Sequence, residues 1–174
     1  MLYIFSGLPG AGKSTLSRYL ARERQAVYLR LDTIEQTLRD GGCRVQGPEG
    51  YMVAYALAAD NLRVGLSVVV DSVNPLTVTR AAWRAVAAQA TAPFIEIEVV
   101  CSDATEHRHR VETRTIDITG FQLPTWDDVV QRAYEPWDTA RVVIDTAGQT
   151  VEQSIAALRQ ALGLDASHKE KGSI

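Results

Sequence analysis

A chain of 174 residues with 46% apolar side chains is long enough for one α/β domain with a real core and too short for two comfortable ones, and disorder is not its default state. A formal charge of −3 excludes any global electrostatic case for nucleic acid or an anionic membrane. Of the 18 basic residues only Lys13, Lys169 and Lys171 are lysines, so Lys13 is the sole lysine in the expected folded body. The arginine excess suits phosphate oxygens, which guanidinium groups bind bidentately, and biased genomic composition would produce it equally well.

Leu2 to Ser6 reads as an apolar strand, Gly7 to Thr15 as a glycine-rich turn, and residues 13–25 as an amphipathic helix. The turn, Gly7-Leu8-Pro9-Gly10-Ala11-Gly12-Lys13-Ser14-Thr15, fits GxxxxGK[ST] at every fixed position and sits between strand and helix, as a phosphate loop must. Its glycines let backbone N–H groups curl around phosphate oxygens at the positive end of the helix. Lys13 can reach the β/γ-phosphates of ATP, and Ser14 can ligate Mg²⁺.

Ala26 to Leu31 has strand alternation and ends at Asp32, where Asp32-Thr33-Ile34-Glu35 has capping-box spacing for a short helix to about Arg39. Residues 41–50 read as a glycine-rich loop, and residues 51–64 as a helix stopped by Gly65. Residues 67–71 form a short buried strand ending at Asp71, Asn74-Pro75 breaks the chain, and residues 76–91 are an Ala-rich helix with Trp83 and Val86. Residues 94–101 form the fourth strand. Asp103 to Glu106 again has cap spacing and opens a charged helix to about Thr115.

Thr125 to Asp128 caps a brief helix reaching Ala133, and residues 141–145 form the fifth strand. Thr150 and Gln153 open the last helix, with Val151, Ile155, Leu158 and Leu162 on one face. Residues 165–174 are a polar tail expected to be flexible. Cys43 and Cys101 have no metal or disulfide spacing. The strand at residue 2 leaves no room for a signal peptide and no apolar run spans a membrane, so a soluble cytoplasmic protein is expected.

Five strands alternating with helices predict a parallel sheet covered on both faces, with function beyond the carboxyl ends of the strands. Asp32, Asp71 and Asp145 all fall there. Asp32 is a candidate base that takes the proton of an acceptor hydroxyl in line with the γ-phosphate; the alternative is a helix cap. Asp71 could hold Mg²⁺, contact the acceptor, or be only a strand-end carboxylate. Arg110 and Arg114, four residues apart, share a helix face that could neutralise the transferring phosphoryl group; a solvated charged helix paired through Glu106 is the alternative. Asn74 and Arg80 carry weaker signals, a turn residue and a solvent-facing helix residue respectively. His107 and His109 lack a third ligand, which excludes a metal site there.

Asp145-Thr146-Ala147-Gly148-Gln149 looks like the switch segment of small GTPases. It follows the last strand, however, with 25 residues beyond Gln149 and no NKxD among them. A helix-capping loop near the base is the better reading.

The combination of GLPGAGKST, strand-end Asp32, VVVDSVNP (68–75) and CSDATEHRHRVETR (101–114) resembles the P-loop kinase-like proteins named AAA family ATPases. Zeta-toxin-like kinases, gluconate kinase, chloramphenicol phosphotransferase, adenylylsulfate kinase and the polynucleotide 5′-kinase domain belong to the wider group. The resemblance covers residues 1–162. It implies one three-layer domain over 1–164, a five-stranded parallel sheet in the order 2-3-1-4-5, and a mobile lid at about 103–124. It also implies the phosphate loop at Gly7, Leu8, Pro9, Gly10, Ala11, Gly12, Lys13, Ser14 and Thr15, a catalytic carboxylate at Asp32, and lid arginines at Arg110 and Arg114. An adenine-side element falls at Asp145–Thr150, including Thr146 and Gln149. Glu35 departs from the polynucleotide kinase pattern, which has an arginine there that grips an acceptor phosphate; a carboxylate would repel one.

The expectation is an ATP- and Mg²⁺-dependent kinase of EC 2.7 type acting on a hydroxyl of a small molecule. It is a monomer or homodimer, with Lys13, Asp32, Arg110 and Arg114 as catalytic residues and Ser14 and Asp71 as metal ligands. Tyr51, Tyr55, Asp60 and Arg63 are candidate acceptor-pocket walls. A polynucleotide or nucleoside kinase and a non-kinase regulatory ATP-binding protein are the rival readings, and Arg18, Arg22, Arg39 and Arg44 would supply the basic mouth that a nucleic acid needs.

Overall fold

Strand β1 (Leu2–Ser6) is buried along its whole length because it lies at the centre of the sheet. The computed structural model describes residues 1–164; the polar tail expected from residue 165 lies outside them. After β1 come α1 (Lys13–Glu23), β2 (Val27–Arg30), α2 (Leu31–Asp40), α3 (Glu49–Arg63), β3 (Val68–Asp71) and α4 (Thr77–Gln89). Then follow β4 (Phe94–Val100), α5 (Ala104–Thr113), α6 (Trp126–Val130), β5 (Val142–Asp145) and α7 (Val151–Ala161). Every strand pairing is parallel and the order is β2-β3-β1-β4-β5, as the resemblance implies.

The side-chain alternation of β1 divides the core. Leu2 and Ile4 face α2, α3 and α4, packing with Leu31, Ala54, Ala58, Val68, Val70 and the fully buried Trp83. Tyr3 and Phe5 point the other way, onto Leu16 and Leu20 of α1, Ile97 and Val99 of β4, and Leu158 of α7. Apolar residues on both faces of each central strand are what a doubly covered parallel sheet requires. No helix among the described residues is long and apolar enough to cross a membrane.

Local capping divides into hits and one miss. Thr150 with Gln153 and Thr125 with Asp128 form reciprocal capping boxes, and the Asp103 carboxylate accepts from the Thr105 and Glu106 N–H groups. Helix α6 stops at Val130 rather than Ala133, and α3 begins at Glu49, inside the expected loop. The capping box at Asp32 does not form. Helix α2 starts directly from β2, its N-cap is Arg30 with no side-chain cap, and Asp32 lies within the first turn.

Arg80 overturns the expectation of a solvent-facing residue. It is fully buried in α4, donates to the carbonyls of Asn74, Pro75, Glu135 and Pro136, and stacks 4.2 Å from the Trp137 ring centroid. A guanidinium's five fixed donors suit several diverging carbonyls, so one side chain straps the 134–137 segment to the β3–α4 turn. Arg80→Met leaves the Asn74, Glu135 and Pro136 carbonyls without this donor, Pro75 keeping the Glu135 N–H, and is expected to cost roughly 2–4 kcal/mol of unfolding free energy, read from urea denaturation midpoints. An unchanged midpoint would mean that the strap holds without it.

Candidate active site

The parallel order delivers the ends of β1, β2 and β3 side by side, so the loops that follow them meet in one cleft of about 1590 Å³. Pro9, Gly10, Gly12, Lys13, Ser14 and Thr15 form its floor. Asp32 and Asp71 stand on one side, and Arg110, Arg114, Thr146 and Gln149 on the other. The separate sequence candidates thus converge on a single space. Gly7, Leu8 and Ala11 do not line it; they carry the loop's backbone. The Gly7 N–H donates to the Val73 carbonyl at 3.1 Å, and the Leu8 carbonyl accepts from Lys13 Nζ at 3.0 Å. Gly7 is obligatory: at φ +137° a Cβ there would lie 2.1 Å from the Val99 carbonyl oxygen.

Lys13 is only 7% exposed. Burial pushes its ammonium pKa below the ordinary lysine value, and the facing carboxylates of Asp71 and Asp32 offset only part of that shift. Asp32 responds in kind. Burial raises its carboxyl above the ordinary range and Asp71 adds to this, against the pull of Lys13, Arg30 and Arg114. Because it sits inside the first helical turn, Asp32 caps nothing and makes no side-chain hydrogen bond among the described residues. The carboxylate is free for another task.

Asp71 ends β3 next to β1 and accepts a 2.7 Å hydrogen bond from the Tyr28 hydroxyl. The Ser14 hydroxyl and the carboxylates of Asp71 and Asp32 are hard oxygen donors in one cleft. They suit Mg²⁺, which keeps several waters and takes few protein ligands.

Helix α5 is fastened to both neighbouring loops. Arg110 donates to the Thr146 hydroxyl (2.7 Å) and carbonyl (2.9 Å) and pairs with Glu106 at 2.5 Å. Glu106 accepts in turn from the Gly148 N–H. Thr146 donates to the Ala11 carbonyl at 3.0 Å. The alternative reading of Arg110, pairing with Glu106, is thus present, and the same guanidinium also bonds the Thr146 turn. Arg114, at the helix end, interacts electrostatically with Asp32 across the cleft, while burial lowers its pKa. Beyond it, Asp117 binds both Arg30 (2.6 Å) and Arg18 (3.0 Å), joining this segment to β2 and α1.

The acceptor-side expectations separate. Tyr51 lines the cleft, its hydroxyl accepting from the Asn74 N–H. Tyr55 instead packs against Trp83, and Asp60 and Arg63 pair with one another outside the cleft. Glu35 lines the cleft and carries its own counter-ion, Arg39, at 3.1 Å. Sequence reasoning undervalued Asn74, which is buried at φ +49° and donates to the Ser6 hydroxyl at the mouth of the glycine loop. The Asn-Pro dipeptide was its only signal. Asp117 and Tyr28 had none, since their partners lie 87 and 43 residues away.

Residues 2–136 match the AAA domain family AAA_33. The chain belongs to this P-loop kinase-like family. No curated protein matches it by sequence. Among solved structures it is similar to a provisionally named kinase from Chloroflexus aurantiacus (21% identity, 92% of this chain and 97% of that one, TM-score 0.69). It is also similar to a gluconokinase from Sinorhizobium meliloti (15%, 92% and 90%, TM-score 0.63) and to the Mycobacterium tuberculosis APS kinase solved with AMPPNP and APS (19%, 93% and 96%, TM-score 0.60). At these identities the likeness is one of fold.

The raised carboxyl of Asp32 has a consequence for stability. A folded-state pKa above the unfolded one means that ionised Asp32 opposes folding at neutral pH and ceases to do so once pH falls below both values. Asp32→Asn is therefore expected to raise the thermal midpoint at pH 7, with the gain shrinking on acidification. A midpoint lowered at pH 7 would count against this electrostatic picture.

Proposed function

We propose that the protein is an ATP-dependent phosphotransferase that moves the γ-phosphoryl group to a hydroxyl of a small molecule. The observation that carries this reading is Asp32: a half-buried carboxylate facing the phosphate-loop lysine across a cleft, engaged neither as a cap nor in a hydrogen bond. The cleft itself supports two substrates. Its volume of about 1590 Å³ exceeds the ~300–1,000 Å³ typical of a site for one small ligand.

In this reading the Gly7–Thr15 loop cradles the triphosphate and Lys13 contacts its β/γ-oxygens. Thr146 and Gln149 form the nucleoside side, and Arg110 and Arg114 offset charge on the transferring group. Ser14 and Asp71 would hold Mg²⁺, which when bound would supply positive charge beside the phosphates. Asp32 orients the acceptor hydroxyl and takes its proton as the new O–P bond forms and the bond to the ADP oxygen breaks. Of the lid expected at about 103–124, α5 is bonded to the glycine loop and to Thr146, so the part around 114–124, carrying Asp117, would open and close over the acceptor and keep water out.

Internal pairing supports a small acceptor over a polynucleotide. Asp117 pairs with Arg18 and Glu35 with Arg39, so two of the four arginines that would form a basic mouth for a strand, Arg18 and Arg39 but not Arg22 and Arg44, already have carboxylate partners. The kinase names of the solved structures sharing this fold agree with phosphoryl transfer, and they do not identify the acceptor.

Sugars, aminoglycosides, nucleosides and 5′-OH oligonucleotides, screened for acceptor-dependent ADP release, test the proposal directly. Asp32→Asn is expected to lower that release ~10²–10⁴-fold while ATP still binds, and Lys13→Met to abolish it. Activity should fall on acidification through the raised pKa of Asp32, so its acid limb lies above that of an ordinary carboxylate. Steady ATP hydrolysis unaffected by any acceptor, and retained in Asp32→Asn, would point to a regulatory ATPase instead.

A further inference from the structure

His107 lies outside the machinery above, yet it is 6% exposed and its Nε2 sits 2.8 Å from the Pro9 carbonyl oxygen, 98 residues away in sequence. A carbonyl can only accept, so Nε2 carries the proton. The ring meets Trp126 edge-on with centroids 5.3 Å apart, which fixes its plane. One turn further along α5, Val111 packs so closely on the loop that a Cβ at Gly10 would lie 2.6 Å from its Cγ2. The helix therefore presses on the loop from behind while His107 grips it.

Peptide geometry turns this grip into a functional statement. In a trans peptide the C=O of one residue and the N–H of the next point in opposite directions, and no cis peptide occurs among the described residues. Binding the Pro9 carbonyl from outside therefore aims the Gly10 N–H the other way, into the cleft that Gly10 lines. Thr146 does the same two residues on, holding the Ala11 carbonyl so that the Gly12 N–H turns inward. The Leu8 carbonyl is the exception that fits: Lys13 takes it, and the next residue is a proline with no N–H to aim.

We propose that His107 is a positioning residue for phosphate binding, its Nε2–H holding the Pro9 carbonyl outward so that the Gly10 N–H is preset toward the nucleotide phosphates. This rests on the reading that the loop binds a nucleoside di- or triphosphate, and it is independent of the acceptor. The role differs from that of the arginines on the same helix, because His107 acts on the backbone of the loop and touches no substrate.

The test compares ADP and ATP affinities by calorimetry, in the presence of Mg²⁺, for the wild type, His107→Leu and His107→Gln, with thermal midpoints recorded alongside. His107→Leu keeps apolar packing against Trp126 and removes the donor; a loss of roughly five- to tenfold in ADP affinity is expected, the worth of one neutral hydrogen bond. His107→Gln places an amide N–H near the position of Nε2 and is expected to restore most of that affinity. If His107→Leu does not fold, His107→Asn, whose amide stops short of Pro9, replaces it. Wild-type ADP affinity in the donorless variant, whatever its thermal midpoint, identifies a packing residue and overturns the proposal. Equal losses in the leucine and glutamine variants overturn it too. A wild type that binds neither ADP nor ATP defeats the nucleotide reading itself, whereas a failed acceptor screen with these affinities intact leaves the positioning role standing.

Discussion

The site is organised by the need to keep one ammonium group charged out of water. Lys13 is almost wholly covered, and a lone ammonium in that position would shed its proton or disrupt the packing around it. Its charge is sustained because the sheet order sets β3 beside β1 and β2 beyond it, bringing the carboxylates of Asp71 and Asp32 within electrostatic reach. The dependence is reciprocal: the same lysine restrains the upward shift of Asp32. Topology and electrostatics are one constraint here, since another strand order would put those carboxylates elsewhere.

A second constraint comes from behind the glycine loop. Helix α5 and the residues after β5 bond to each other through Glu106, Arg110, Thr146 and Gly148, and each also bonds to a loop carbonyl. A turn with left-handed glycines at positions 10 and 12 has little intrinsic rigidity, so its shape must be imposed by surroundings that over-determine it. The helix that presents arginines to the cleft is thus also part of the loop's scaffold.

Much of this was legible in the sequence, and the legible parts share a property: they are local. The strand–glycine loop–helix unit, five apolar strands, two complete capping boxes and the strand-end carboxylates all follow from spacing within about ten residues. The misses are non-local or depend on phase. Asp32 had the right spacing for a cap, but β2 runs into α2 without a break, so the helix begins one residue earlier than the aspartate and the cap position falls on Arg30. Arg80 looked like a surface residue because its four carbonyl partners come from segments on either side that only the fold brings together. His107 was judged as a metal ligand and rejected; its actual partner, a proline carbonyl, leaves no trace in side-chain patterning.

The Asp145–Gln149 segment illustrates how placement decides what a motif does. The same five residues, set after an early strand beside a γ-phosphate, would suit a water-positioning glutamine. Here they follow β5 at the edge of the sheet, and their polar groups are taken up by scaffolding. The Asp145 carboxylate accepts from the Ser102 and Ala147 N–H groups, closing the turn on itself and on the end of β4. Thr146 spends its hydroxyl on the glycine loop and Arg110, and the Gln149 side-chain Oε1 accepts from the Ser154 hydroxyl in the first turn of α7. A glutamine held to the next helix is poorly placed to orient an attacking water. Asp32 and Asp71, the carboxylates that face Lys13, lie in the cleft itself, whereas Asp145 is absorbed into the turn after β5.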